Sequence, residues 1–265
     1  MRRAAVLLQC SIVAGLVAYG EDVGRPGWAV VDPALPAGAP RYERGKARGL
    51  YDELCRECHG AGGRGDGPAA RYLMPRPRDF VAGMYRFRST ASGEPALPED
   101  LFATLGRGLH GTAMPSWAGL DAAERWQLVM LLRELSPRFA VRRPVRRLVV
   151  GEVPRGSGAR VESGRAAYVR LGCAQCHGDE GRGDGPAAAT LRDDAGRAAP
   201  PANLRRPEHY HGGCAPEDLY RTLYTGLDGA PMPAYEALTS DEAWDLAFYL
   251  RSLVVDPARC GRAPG

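Results

Sequence analysis

An internal repeat with an offset of 118 residues is the feature that most constrains the fold of this chain. The segment from Cys55 to Pro68 reads CRECHGAGGRGDGP, and the segment from Cys173 to Pro186 reads CAQCHGDEGRGDGP, identical at 10 of 14 positions. Three further pairs recur at the same offset, namely Pro98 with Pro216, Met114 with Met232, and Trp126 with Trp244. A long-period repeat indicates a duplicated structural unit, so we predict two domains that share one fold.

Each repeat begins with a Cys-x-x-Cys-His motif. The residues concerned are Cys55, Cys58 and His59 in the first repeat, and Cys173, Cys176 and His177 in the second. Two thiols at this spacing lie on one helical turn and can reach the two vinyl groups of haem, while the adjoining imidazole can bind the iron. Structural zinc would need a second pair of ligands in the same domain, and a redox-active dithiol would have a βαβ setting. Neither pattern is present, so we predict two covalent haem c groups.

The repeat also indicates a second axial ligand for each iron. Met232 is the only methionine after Cys173, and the offset of 118 pairs it with Met114. A proline follows each of these methionines, and its fixed φ holds a non-helical loop in one shape. We therefore predict that His59 and Met114 bind one iron, and that His177 and Met232 bind the other. The rival ligands, which would give bis-histidine coordination but lack counterparts at the offset, are His110, His209 and His211.

Helix-start signals recur at equivalent positions in the two halves. Pro98 and Pro216 can each occupy the first position of a helix, with acidic residues in the first turn. Two capping-box pairs, Asp121 with Glu124 and Thr239 with Glu242, precede apolar residues at helical spacing. Alternation typical of strands is weak throughout. The predicted fold class is all-α, with a few short helices in each half.

On these motifs, each half resembles a class I c-type cytochrome, and the whole chain is similar to the tandem dihaem members of that family. The resemblance implies that an N-terminal helix crosses the C-terminal helix beside the haem, so that Tyr51 packs against the helix of Trp126 and Tyr168 against that of Trp244. It also implies that a proline carbonyl accepts a hydrogen bond from each proximal imidazole. Pro68 and Pro186, each nine residues after its histidine, match that position.

The chain divides into six predicted regions. In order, they are a signal peptide (1–20), an N-terminal extension (21–44), the first cytochrome c domain (45–137), a linker (138–161), the second cytochrome c domain (162–256) and a C-terminal tail (257–265). The linker contains an arginine cluster between Val141 and Arg147. These arginines could dock an acidic partner or anionic lipid, clamp haem propionates, or lie solvated in a simple linker.

The N-terminus predicts export. Arg2 and Arg3 precede an apolar run that ends at Tyr19, and Ala18-Tyr19-Gly20 suits cleavage before Glu21. Covalent haem attachment takes place on the oxidising side of the bacterial membrane, so we expect a periplasmic protein. A single uncleaved anchor is the alternative, and membrane association could also come through a partner. Cys10 suits a lipoprotein poorly because glutamine precedes it.

Two cysteines have no counterpart in the first half. Of seven cysteines, four belong to the haem motifs and Cys10 lies in the predicted signal peptide, which leaves Cys214 and Cys260. In an oxidising compartment a leftover pair is more often bonded than free. We predict a disulfide between them.

Coordination of both irons by His and Met would leave no vacant position for a substrate, so the sequence predicts electron transfer rather than catalysis. The expected partners are electron donor and acceptor proteins, including membrane-bound respiratory complexes. A formal charge of only +4 does not suggest nucleic-acid binding, and because Lys46 is the only lysine, docking must rely on arginine or apolar contacts. The alternatives are a haem enzyme, such as a dihaem peroxidase or a sulfur-compound dehydrogenase, and a fixed electron-transfer subunit of a larger oxidoreductase complex.

Overall fold

The computed structural model describes residues 26–260, so the predicted signal peptide lies outside the described residues. Its helices and strands, in chain order, are β1 (Gly27–Val31), α1 (Arg44–Leu54), α2 (Arg56–His59), α3 (Pro98–Arg107), α4 (Ala122–Glu134), β2 (Val145–Val149), α5 (Gly158–Arg170), α6 (Ala174–His177), α7 (Pro216–Thr225) and α8 (Ser240–Leu253). Short 3₁₀ turns lie between them. The predicted helical fold class is confirmed, with one small sheet added.

The two halves repeat one arrangement of helices. In the first half α1 packs against α4, and in the second α5 packs against α8. Buried Tyr51 on α1 shares one hydrophobic core with Leu128 of α4. The ring of buried Tyr168 on α5 meets Tyr249 of α8 edge-on, at 5.4 Å between centroids. The predicted crossing of the N-terminal and C-terminal helices is therefore present in both halves. Helix α5 begins at Gly158, so the predicted boundary at 162 falls inside it.

The helix ends follow the sequence signals. Pro98 and Pro216 occupy the first position of α3 and α7, and each helix ends at a glycine with positive φ: Gly108 at 68° and Gly226 at 62°. A side chain at these positions would be strained, so glycine lets the chain turn out of the helix and into the methionine loop. Both predicted capping boxes form at the starts of α4 and α8.

The strands come from regions that the sequence analysis assigned to an extension and a linker. Strand β1 pairs antiparallel with β2, from Gly27 opposite Val149 to Val31 opposite Val145. Strand β2 also bonds the segment before α3, since Ala91 N donates to Arg146 O at 3.0 Å. Val145 and Leu148 are buried. These short strands escaped prediction because their pairing joins segments more than 100 residues apart.

The arginine cluster of the linker forms ion pairs within the chain. Arg142 contacts Asp32 at 2.8 Å, and Arg146 contacts Glu94 at 3.4 Å and Glu236 at 3.2 Å. The pair with Asp32 links the cluster to the chain just after β1, and the contact with Glu236 reaches into the second half. At least two of its arginines are therefore engaged by carboxylates of the chain itself.

The halves meet at a buried ion pair. Arg88 Nη2 of the first half lies 2.8 Å from Asp228 Oδ1 of the second, and the two side chains are 0% and 6% exposed. Asp228 also accepts hydrogen bonds from Ser92 Oγ at 3.0 Å and from Gly93 N at 3.1 Å. Arg88 donates in addition to Thr225 O at 2.8 Å. Because two charges this deeply buried are paired with each other across the boundary, the halves form one packed unit.

Among residues 26–260, no helix is long and apolar enough to cross a bilayer.

Candidate haem sites

Each Cys-x-x-Cys-His motif forms a single helical turn. Helix α2 carries Cys58 and His59 directly after Cys55, and α6 repeats this arrangement in the second half. The buried tyrosine of the preceding helix holds the end of each turn, because Tyr51 Oη donates to Gly60 O at 2.7 Å and Tyr168 Oη donates to Gly178 O at 2.6 Å. These tyrosines therefore do more than pack at a helix crossing, because their hydroxyls also hold the haem motif.

Both proximal histidines have a fixed tautomer. His59 Nδ1 donates to the carbonyl oxygen of Arg78 at 3.0 Å, and His177 Nδ1 donates to that of Ala202 at 2.9 Å. Burial lowers the pKa of both imidazoles, which favours the neutral form. With the proton on Nδ1, Nε2 keeps its lone pair and is free to bind a metal. His59 also stacks on the Phe80 ring, 4.2 Å away and tilted by 20°.

The prediction that Pro68 and Pro186 accept these hydrogen bonds was wrong. Both prolines are exposed. They follow Gly67 and Gly185, where the loop folds back onto the haem motif so closely that a Cβ on Gly67 would lie 2.3 Å from Glu57 O, and one on Gly185 would lie 2.4 Å from Ala174 O. The chain then runs on past the prolines, and the imidazoles meet carbonyls 19 and 25 residues after them.

The methionine loops have the same backbone geometry in both halves. Leu109 N donates to Met114 O at 3.1 Å, and Leu227 N donates to Met232 O at 3.1 Å. A second bond at 2.8 Å ties each loop to the preceding helix, from Trp117 N to Leu105 O and from Tyr235 N to Leu223 O. Met114 lines one pocket with Cys55, Cys58 and His59. Met232 and Cys173 both pack against the hydrophobic core of the second half.

The pocket of the first half contains buried donors that have no acceptor among residues 26–260. Two of them are Trp117 Nε1 and Arg86 Nε, on residues that line the pocket. Burial and the neighbouring guanidinium of Arg86 lower the pKa of Arg78 to about 10. The propionates of haem c are acceptors for such N–H groups and carry the opposite charge. The residues present therefore fit a haem with its propionates near Trp117 and Arg86.

A residue of the second half completes this pocket. His211 lies at its wall and its Nδ1 bonds the carbonyl oxygen of His110. The sequence analysis named His211 and His110 as rival ligands. His209 Nδ1, in contrast, accepts from Asn203 N at 3.0 Å. The bonds of His211 and His209 tie neighbouring loops together, and in His211, as in His59, the bond at Nδ1 leaves Nε2 free.

The alternative readings of the cysteine motif find no support in the geometry. Burial raises the pKa of Cys55 to about 12 and that of Cys173 to about 11. A redox-active dithiol needs a lowered pKa, because the thiolate is the reactive form. In the part of the chain that the structure describes, no three His, Cys, Asp or Glu side chains cluster as ligands for a metal ion.

The structure joins Cys214 to Cys260 in a disulfide, with their Cα atoms 5.2 Å apart. Cys214 is buried in the hydrophobic core of the second half, just before α7, whereas Cys260 follows the last 3₁₀ turn. The bond therefore fastens the end of the chain to the second half.

Comparison with known proteins agrees with this geometry. Residues 43–132 match the family model described as cytochrome C oxidase, cbb3-type, subunit III, and residues 161–254 match the model described as cytochrome c. The chain is a tandem c-type cytochrome. This cytochrome is also similar to a chain in the solved structure of the reducing HAO-like protein complex of Kuenenia stuttgartiensis. Identity with that chain is 35%, the match covers 83% of this cytochrome and 99% of that chain, and the TM-score is 0.77. No curated protein matches the cytochrome.

The cytochrome is an electron-transfer haem protein, and covalent haem c is its cofactor. Bound haem c supplies a one-electron iron couple. The protein's own contribution is an imidazole of fixed tautomer in each half and, in the first half, a pocket lined by apolar side chains and arginines. These are the features through which a protein sets a haem potential.

Proposed function

We propose that this cytochrome binds two haem c groups and carries electrons between periplasmic or membrane-bound respiratory proteins. The observation that carries the proposal is the duplicated ligand set. His59 and His177 each present a free Nε2, while Met114 and Met232 sit on loops closed by the same 3.1 Å bond. A thioether and an imidazole on each iron would leave no open position for a substrate.

The packed boundary between the halves supports transfer of an electron from one haem site to the other. Arg88, three residues before Ala91, reaches Asp228 and Thr225 beside the second methionine loop. In the other direction, His211 of the second half reaches the first pocket. Each half therefore contributes to the surroundings of the other site, and a fixed spacing favours transfer between the two.

A second candidate function is that of a fixed subunit in a larger oxidoreductase complex. Its support is that the family model matching the first half is named for an oxidase subunit, and that the similar solved chain comes from a protein complex. Such a subunit would still carry electrons, but it would co-purify with its complex instead of diffusing. The periplasmic location in this proposal is supported by the signal peptide that the sequence predicts and by the disulfide, because an oxidising compartment favours disulfides.

The test is a spectroelectrochemical titration of the holoprotein and of Met114→Ala and Met232→Ala variants. Each substitution should abolish the methionine-to-iron charge-transfer absorbance of one haem and lower one of the two potentials, because a thioether ligand raises the potential. Met130→Leu, a buried methionine of α4, is the matched control and should change neither.

High-spin absorbance in the resting protein together with turnover of peroxide would overturn the carrier proposal in favour of an enzyme. One haem per chain by intact mass would overturn the two-haem proposal.

A further inference from the structure

An exposed apolar surface with basic flanks lies beside the first haem site. Tyr72 is 73% exposed and Met74 is 75% exposed, although both are large apolar side chains. Arg71 and Arg76, also exposed, flank them. We call these four residues the Tyr72 surface. A cluster of exposed apolar residues with polar surroundings is a common mark of an interaction site.

The Tyr72 surface is continuous with the wall of the first pocket. Leu73 and Pro75, which alternate with Tyr72 and Met74, line that pocket together with Arg76 and Cys55. A protein seated on Tyr72 and Met74 would therefore be separated from the bound cofactor by about one layer of side chains.

The fold does not require an apolar surface here, because the second half does without one. At the repeat offset, Tyr72 corresponds to Thr190 and Met74 to Arg192. Arg192 bonds the carbonyl oxygens of Ala189 and Leu191, so the second loop satisfies its own polar groups. The same 3₁₀ turn forms in both halves. The exposed pair is thus a property of the first half alone.

The charges on the Tyr72 surface are available to a partner. Among the described residues, neither Arg71 nor Arg76 forms an ion pair with a carboxylate, whereas Arg142 and Arg146 of the linker do. The guanidinium of Arg71 lies 4.6 Å from the centre of the Tyr72 ring, which keeps the cation next to the apolar area. Two free cations at the edges of an apolar centre complement an apolar centre with an acidic rim.

We propose that the Tyr72 surface is the docking site for a redox protein whose cofactor edge is apolar and rimmed by Asp and Glu. Electrons then pass between the two proteins through the first haem site. This inference rests on the proposed electron-transfer function and adds a direction to it. Because the chain contains one lysine, docking cannot rely on a ring of lysines. Arginine and apolar contacts take that role at the Tyr72 surface.

The probe is a gold surface coated with a mixed monolayer of carboxylate- and methyl-terminated alkanethiols, which presents both features of the proposed partner. Two readouts use the holoprotein: binding by surface plasmon resonance and the electron-transfer rate constant by film voltammetry. The variants are Tyr72→Ser with Met74→Ser, and Arg71→Gln with Arg76→Gln. The matched control is Val141→Ser with Arg143→Gln, which removes an equally exposed apolar residue and an unpaired arginine from the linker.

Each variant of the Tyr72 surface should weaken binding and slow transfer by about tenfold, and the arginine variant should also reduce the dependence on ionic strength. The linker control should bind as the original protein does. Equal losses in the control, or no loss in either variant, would overturn the proposal. A change from dimer to monomer in the variants would also overturn it, because the surface would then bind a second copy.

Failure of the docking proposal differs from failure of the carrier proposal. If docking fails, the Tyr72→Ser with Met74→Ser variant, whose substituted side chains do not line the pocket, still titrates reversibly with two unchanged potentials. If the carrier proposal fails, the unmodified holoprotein itself shows an open coordination position in solution.

Discussion

Replacing Asp228 with alanine should destabilise the whole protein, because it leaves the buried cation of Arg88 without its carboxylate. The Arg88 side chain is 0% exposed and that of Asp228 is 6% exposed, so water cannot replace the lost partner. Breaking a buried ion pair by removing one member costs about 3–5 kcal/mol. The hydrogen bonds that Asp228 accepts from Ser92 and Gly93 are lost as well, which places the expected value toward the upper end of that range.

Thermal unfolding of the holoprotein, followed by far-ultraviolet circular dichroism, measures this loss. In a domain of this size, 1 kcal/mol shifts Tm by roughly 2–4 °C, so the expected decrease is roughly 6–20 °C. Covalent attachment keeps the cofactor on the unfolded chain, so the transition does not depend on cofactor concentration. The double variant Arg88→Met with Asp228→Ala should recover part of the loss, because the uncompensated charge is gone.

The control for this prediction is Arg146→Gln. Arg146 is 45% exposed, and its pairs with Glu94 and Glu236 are open to solvent. Exposed pairs contribute about 0–1 kcal/mol, so Tm should change little. A decrease of less than about 1 kcal/mol for Asp228→Ala, or a double variant less stable than the single one, would refute the reasoning that a buried charge holds the halves together.

Two further predictions concern the second half. Reduction of the disulfide, or Cys214→Ser with Cys260→Ser, should lower the free energy of unfolding by about 4 kcal/mol, the loop-closure value for a separation of 46 residues. Denaturant titrations with and without reductant measure this loss, and identical midpoints would contradict the prediction. Tyr168→Phe removes the 2.6 Å bond to the Gly178 carbonyl and should cost about 1–3 kcal/mol. Tyr249→Phe is the control, because the Tyr249 hydroxyl forms no hydrogen bond within the part of the chain that the structure describes. An equal loss of stability there would assign the effect to packing.

The proximal hydrogen bonds show where sequence reasoning stopped. A carbonyl oxygen is present at every residue, so side-chain identity cannot mark the acceptor, and the resemblance pointed to Pro68 and Pro186. The repeat did contain a usable signal, because the segment that begins at Pro77 aligns with the one that begins at Pro201. That alignment pairs Arg78 with Ala202, the two residues whose carbonyls accept the bonds.

The buried ion pair was beyond sequence reasoning for a related reason. At the repeat offset, Asp228 corresponds to His110, and this mismatch served only to reject His110 as a ligand. In the structure the same position carries the contact between the halves, since Asp228 meets Arg88 across 140 residues of sequence. Residues that differ between two copies of a repeat are those free to serve the contact between the copies.

The sequence by itself determined the duplicated helical fold, the cysteine and histidine motifs, the paired methionine loops and the helix starts, because each depends on residues that are close along the chain and recur at one offset. Only the tertiary structure decided the acceptors of the proximal histidines, the pairing of β1 with β2, the ion pair between the halves and the exposure of Tyr72 beside the first pocket. These depend on segments brought together by packing, and packing between distant segments leaves no local pattern in the residues that it joins.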